Sequence, residues 1–204
     1  MYPANDRQGE IAAYVENLRR AVDSLSLPDV LRVARLLEDT YWSRGIVYTC
    51  GNGGSAATAS HLAVDLSKGT RTPTAPPLRA VSLVDHVPAL TAWANDVSYE
   101  VVFSSQLEAL GTPDDLLIVI SASGDSPNVL EALRCAKEIG MSTVGLLGAT
   151  GGRAAALCDL WVAAPAPHIE EQEDIHMAVA HMLTRHMRGS IAVGDRAAAA
   201  VGAE

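Results

Sequence analysis

Apolar positions recur along the chain with two different periods. Residues 8–25 place Ile11, Val15, Leu18 and Val22 at helical spacing with charges between them. Pro28 then suits the first residue of a second helix carrying Val30, Leu31, Val33, Ala34 and Leu37, and Gly45 ends it. This pair of helices precedes a β-branched run, Ile46-Val47-Tyr48-Thr49. A glycine-rich turn follows, then a helical stretch from Ser55 to about Lys68 and a Pro/Thr loop over 69–77. Leu78–Leu83 reads as a strand, with helical segments around 86–94 and 98–110. Asp115–Ile120 is a continuous apolar run behind one acid, the signature of a strand buried on both faces of a parallel sheet. A helix is expected over Pro127–Ile139, closed by Gly140 in the C′ position. Further strands fall at Thr143–Leu147 and Leu160–Ala163, with a short helix at Ala154–Leu157 between them. A last helix spans about 170–188.

Strands alternating with helices predict an α/β fold: a doubly wound, parallel, five-stranded sheet in three α/β/α layers, preceded by the helix pair at 8–44. The expected domain is single and covers 1–188. Residues 189–204 are Ala-rich and without periodicity, and are expected to form a disordered tail.

Composition narrows the function. The 204 residues suffice for one sizeable core, and with aromatics at 4% that core must be aliphatic. A net charge of −9 argues against a sequence-independent nucleic-acid or membrane-surface binder. An anionic small ligand stays open, because backbone N–H groups can hold a phosphate without net charge. The start of the chain has no signal-peptide pattern, and no apolar run approaches a membrane span. Cys50, Cys135 and Cys158 form no spacing motif and read as reduced, buried thiols, so a cytoplasmic location is expected.

Two turns carry the candidate chemistry, and open α/β sheets bind ligands where such turns lie, at the carboxyl ends of strands. In Gly51-Asn52-Gly53-Gly54-Ser55 the glycines allow close approach of an anion and positive φ, and Ser55 is placed to cap the next helix. In Ser121-Ala122-Ser123-Gly124-Asp125-Ser126 three hydroxyls can donate to phosphate oxygens. Either turn alone could be a plain strand-to-helix connection; the recurrence after the two best-defined strands favours a phosphate site. Neither has the pattern of a dinucleotide or Walker nucleotide loop. His61 and Asp65 lie four apart, hence on one helix face, a spacing suited to two metal ligands or an acid/base pair, though also common in exposed helix pairs. Among Glu170, Glu171, Glu173, Asp174, His176 and His181, spacing selects no pair: Glu173 and His181 stand about 12 Å apart along a helix.

Gly51-Asn52-Gly53-Gly54-Ser55 with His61, then Ala94-Asn95-Asp96, Ser121-x-Ser123-Gly124-x-Ser126 and Glu173-Asp174-Ile175-His176-x4-His181, resemble the SIS (sugar isomerase) family, in its phosphoheptose isomerase branch. The likeness runs over nearly the whole chain to about residue 188. It implies interconversion of sedoheptulose 7-phosphate and an aldose heptose 7-phosphate through a cis-enediol(ate). It implies Asp65 as general base and His181 as general acid. It implies one zinc ion held by His61, Asp65, Glu173 and His181. Sugar and phosphate contacts fall on Asn52, Gly53, Gly54, Ser55, Asp65, Asn95, Asp96, Ser121, Ala122, Ser123, Ser126 and Glu173. The family forms homotetramers with sites between subunits.

Four positions depart from the family pattern. The base is Asp where the family has Glu, and Glu173 replaces a neutral Gln, adding charge at the metal. Ala122 stands where Thr is expected. The basic residue expected after the first site helix is displaced, leaving Lys68 or Arg71 to replace it. Two alternatives accompany this reading: an isomerase of another ketose or aldose phosphate in nucleotide-sugar or secondary metabolism, and a non-catalytic phosphosugar-binding regulator.

Overall fold

The computed structural model describes residues 7–201, with side-chain surroundings described over 9–194. Residues 1–6 of the expected domain and 202–204 of the expected tail lie outside the described residues. Helices α1 (Arg7–Asp23) and α2 (Leu27–Trp42) lead into strand β1 (Ile46–Gly51) and helix α3 (Gly54–Gly69). Strand β2 (Arg79–Ser82), helix α4 (Val87–Asp96), a 3-10 turn at Tyr99–Val101 and helix α5 (Ser104–Leu110) follow. Strand β3 (Leu116–Ser121), helix α6 (Pro127–Ile139), strand β4 (Ser142–Gly148), a 3-10 turn at Arg153–Ala156, strand β5 (Leu160–Ala164) and helix α7 (Ile169–Val201) complete the chain. The five strands are parallel in the order β2-β1-β3-β4-β5, the doubly wound arrangement expected from the alternation of elements.

Strand β3 shows why the sheet is central. Leu116, Ile118 and Ile120 face α1, α2, α3 and α7, packing with Leu37, Leu62 and Leu183. Leu117 and Val119 face the opposite layer, packing with Phe103, Leu107 and Leu133. All five are fully buried, as a strand covered by helices on both faces requires. Acids pin the strand entrances: Asp115 accepts hydrogen bonds from the backbone of Ile46 (2.6 Å) and Thr112 (2.8 Å), and Asp159 accepts from the backbone of Thr143 (2.8 Å). Gly140 ends α6 at φ +92°, left-handed as the C′ position demands.

Three expectations change. The helical segment at 98–110 is broken, because Ser98 takes the Glu100 N–H with its hydroxyl and starts a 3-10 turn; the piece at 153–156 is likewise 3-10. The last helix does not stop near 188. Gly189 faces open space, where a missing side chain costs only about 1 kcal/mol of helix propensity, and Ile191 beyond it is buried against the core. The tail expected from residue 189 is therefore helical at its start. Finally, the apolar stripe of α1 is divided: Leu18 packs against the core beside buried Ala21 and Leu25, while Ile11, Val15 and Val22 are exposed by 70%, 61% and 46%.

Cys50 and Cys135 are buried and Cys158 half-buried, all three as free thiols. Burial pushes the Cys135 thiol up to about 11 and Cys158 to about 12. No helix among the described residues is long and apolar enough to cross a membrane.

Candidate functional site

Strands β1 and β3 are neighbours, and the strand order reverses between them. The crevice at their carboxyl ends is where an open α/β sheet binds ligands. Both glycine/serine turns open there, since Gly51 pairs with Ile120 and Ser121 follows directly.

The first turn is shaped by glycine. Gly53 has φ +55° and ψ −124° and is the N-cap of α3, a conformation that L side chains avoid. Ser55 does not cap the helix as expected: α3 begins one residue earlier, so Ser55 lies buried inside its first turn. The first N–H groups of α3 have no partner within the helix and stand at its positive end. A Cβ on Gly51 would come within 2.8 Å of the carbonyl oxygens of Ile120 and Ser55, so no other residue lets β1 turn so close to β3.

The second turn prepares its hydroxyls as donors. Ser121 Oγ accepts from Gly124 N (3.0 Å) and Ser123 Oγ from Asp125 N (3.2 Å), and the two hydroxyls stand 3.5 Å apart, so one can donate to the other while the second keeps its hydrogen for an anion. Ser126 is the N-cap of α6 but makes no capping bond with its side chain. The turn is latched to the β4–β5 connection. Arg153 donates from Nε to Asp125 Oδ1 (2.8 Å) and from NH2 to the Asp125 carbonyl (3.0 Å), and Ala154 N donates to the Gly124 carbonyl (2.9 Å). The bonds from Arg153 hold the Asp125 carboxyl below its usual range. Ala122 is half-buried, its carbonyl pressed against Gly148.

The turns are also joined to each other. Asn52 Nδ2 donates to Asn128 Oδ1, and Asn128 Nδ2 donates back to Asn52 Oδ1, both at 2.9 Å. The Tyr99 hydroxyl donates to the same Asn52 oxygen at 2.9 Å. Asn128, Tyr99 and Arg153 carry no motif, and nothing in the order of residues reveals contacts spanning 76, 47 and 28 positions.

Two helical turns along α3, His61 and Asp65 meet His181 of α7. His61 Nε2 lies 3.2 Å from His181 Nε2 and 3.4 Å from Asp65 Oδ2, with His181 Nε2 4.0 Å from that oxygen. One donor atom from each falls within 4.8 Å of the others. Ligands about 2 Å from a tetrahedral ion stand about 3.3 Å apart, so two imidazoles facing nitrogen to nitrogen beside a carboxylate fit a divalent cation. The group could hold a metal, and with three protein donors it would leave a coordination position open.

Other expected residues fall elsewhere. Glu173 is not in this group: its carboxylate rests on Gly54, where an added Cβ would sit 2.4 Å from Oε2. Asn95 and Asp96 end α4, exposed, with Asn95 Nδ2 donating to Asp96 Oδ1 (2.7 Å); three residues on, Tyr99 reaches the first turn. Lys68 and Arg71 lie at the far end of α3, Lys68 about 21 Å along the helix from Gly54. His176 is 1% exposed, and neither ring nitrogen makes a hydrogen bond of ordinary geometry. Burial holds its pKa below the ordinary value against a smaller pull from the Leu147 backbone.

Residues 11–148 match the model of the SIS domain. The chain is 40% identical over 156 residues to the phosphoheptose isomerase of Rhodospirillum rubrum, covering 76% of this chain and 82% of that one. It is 40% identical over 177 residues to that of Helicobacter pylori strain P12, covering 86% and 91%. The solved phosphoheptose isomerase of Neisseria gonorrhoeae superposes with a TM-score of 0.81 at 31% identity, over 89% of this chain and 96% of that one. The chain therefore belongs to the SIS family, in its phosphoheptose isomerase branch.

Proposed function

We propose that this chain is a sugar-phosphate isomerase that interconverts sedoheptulose 7-phosphate and an aldose heptose 7-phosphate. The observation that carries the reading is the convergence of a carboxylate and two imidazoles, Asp65, His61 and His181, two helical turns from a paired anion cradle. The relatives' names supply the substrate.

In this reading the phosphate rests on the N–H groups of Gly53, Gly54 and Ser55 and on the hydroxyls of Ser121, Ser123 and Ser126, with Asn52 and Ala122 lining the cradle. Binding energy from the phosphate end positions the carbonyl end against the acid and base. Asp65 removes the proton from the carbon beside the carbonyl, a cis-enediol(ate) forms, and His181 returns a proton at the neighbouring position. Asn95 and Asp96 hold sugar hydroxyls or assist ring opening. His61, Asp65 and His181 would hold one divalent ion, which we assign as zinc, while Glu173, resting on Gly54, is left as a substrate contact. Such an ion supplies electrostatic stabilisation of the developing oxyanion.

We also propose a homotetramer with sites shared between subunits, acting in the cytoplasm on a small-molecule substrate. The exposed stripe of Ile11, Val15 and Val22 supports assembly, as does α4, which buries none of its own residues.

The test is incubation of purified protein with sedoheptulose 7-phosphate, followed by NMR, with metal analysis of the same sample. Appearance of an aldose heptose phosphate supports the reading. Phosphate-competable binding without turnover would instead indicate a regulator.

A further inference from the structure

Asn52 sits in the anion cradle, yet its side chain is already committed. Its carbonyl oxygen has two lone pairs, and two donors occupy them, Asn128 Nδ2 and the Tyr99 hydroxyl. One of its two amide hydrogens goes to Asn128 Oδ1. Asn128 is 2% exposed and lies in the first turn of α6, two residues after Ser126. The reciprocal amide pair thus spans from the loop after β1 to the helix after β3. Tyr99 brings in the segment that follows Asn95 and Asp96.

We propose that Asn52 works as a tie and that Asn128 and Tyr99 are positioning residues acting through it. Together they hold the two halves of the phosphate cradle at one separation, so that N–H donors of the first turn and hydroxyls of the second reach the same anion. This rests on the phosphate reading above. It adds two residues, and it gives Asn52, which lines the cradle, a further role as a fixed link between turns. A reciprocal pair between a half-buried and a buried amide is suited to that task, since breaking it strands a buried donor and acceptor.

The experiment is a set of double-mutant cycles centred on Asn52, read in two ways. The first readout is the affinity of the full chain for inorganic phosphate, by calorimetry. Asn128→Ala should weaken phosphate about tenfold, and Tyr99→Phe, whose bond is exposed, about twofold. In an Asn52→Ala background neither change should weaken it further, because the shared partner is gone. Full, independent losses in that background would overturn the tie. The second readout is the melting temperature without ligand. The same non-additivity is expected there, and strict additivity also contradicts the proposal. If the wild-type chain binds neither phosphate nor sugar phosphate, the phosphate reading fails; the ligand-free cycle then decides the tie by itself.

Discussion

At the scale of single residues, the proposed chemistry rests on a carboxylate one methylene shorter than its family pattern. Asp65 reaches His61 at 3.4 Å from four residues along the same helix, so the shorter side chain still joins the group. Asp65→Asn keeps the shape and removes the proposed base. It should lower kcat by about a thousandfold while leaving circular dichroism and melting temperature unchanged; near-normal turnover would remove Asp65 from the mechanism. His176 offers a second prediction of a different kind. Its pKa is lowered in the folded chain by burial. A group depressed in this way contributes fully above its unfolded pKa of about 6.5 and loses that contribution as pH falls through the folded value. His176→Leu should therefore flatten the fall in stability below pH 6.5, seen as a smaller melting-temperature difference between pH 7 and pH 5 than in wild type. An unchanged slope would mean that the buried imidazole is not protonated on unfolding.

At the scale of elements, helix α7 connects the parts. It lays Glu173 over the first turn, brings His181 to α3, and continues past Gly189 to bury Ile191. Near its end Gly194 lets the Trp42 ring approach, since a Cβ there would lie 2.8 Å from it. Ile191→Ala should cost about 2 kcal/mol in denaturant unfolding, whereas a change in a frayed tail would cost almost nothing. The helix period of residues 170–188 was legible because it is amphipathic. Its continuation was not, because an Ala-rich stretch after a glycine has no polar face to mark it. The same limit applies at 98–110, where a serine hydroxyl competing for one backbone N–H broke a stretch that periodicity joins.

At the scale of the whole molecule, Ile11, Val15 and Val22 on α1 stand exposed among the described residues. Ile11 and Val15 stand more than half exposed on the same helix face, and burying them between copies would supply the association that the tetramer reading needs. Ile11→Asp combined with Val15→Asp should dissociate the assembly in light scattering and reduce turnover in parallel. A doubly substituted chain that keeps both its mass and its activity would show that α1 is not the contact.

Much of this protein was determined by the residues in order. Buried β3 is an unbroken apolar run, Gly140 ends α6 in the one conformation that glycine enters freely, and two Gly/Ser turns announce an anion site. The strand, the helix end and the shape of the turns are local consequences of backbone freedom and side-chain period, which neighbouring residues dictate; the anion site at the turns is the proposal built on them. What the tertiary structure decided are contacts between distant segments. Spacing along α7 could not choose between His176 and His181, because the choice depends on what packs beside each: β4 buries the first, and α3 offers His61 and Asp65 to the second. Glu173 lies on Gly54 rather than beside them, and Asn52 is spoken for by Asn128 and Tyr99. Helical and strand periods report which face of an element is apolar; only the packed fold determines which partner that face meets.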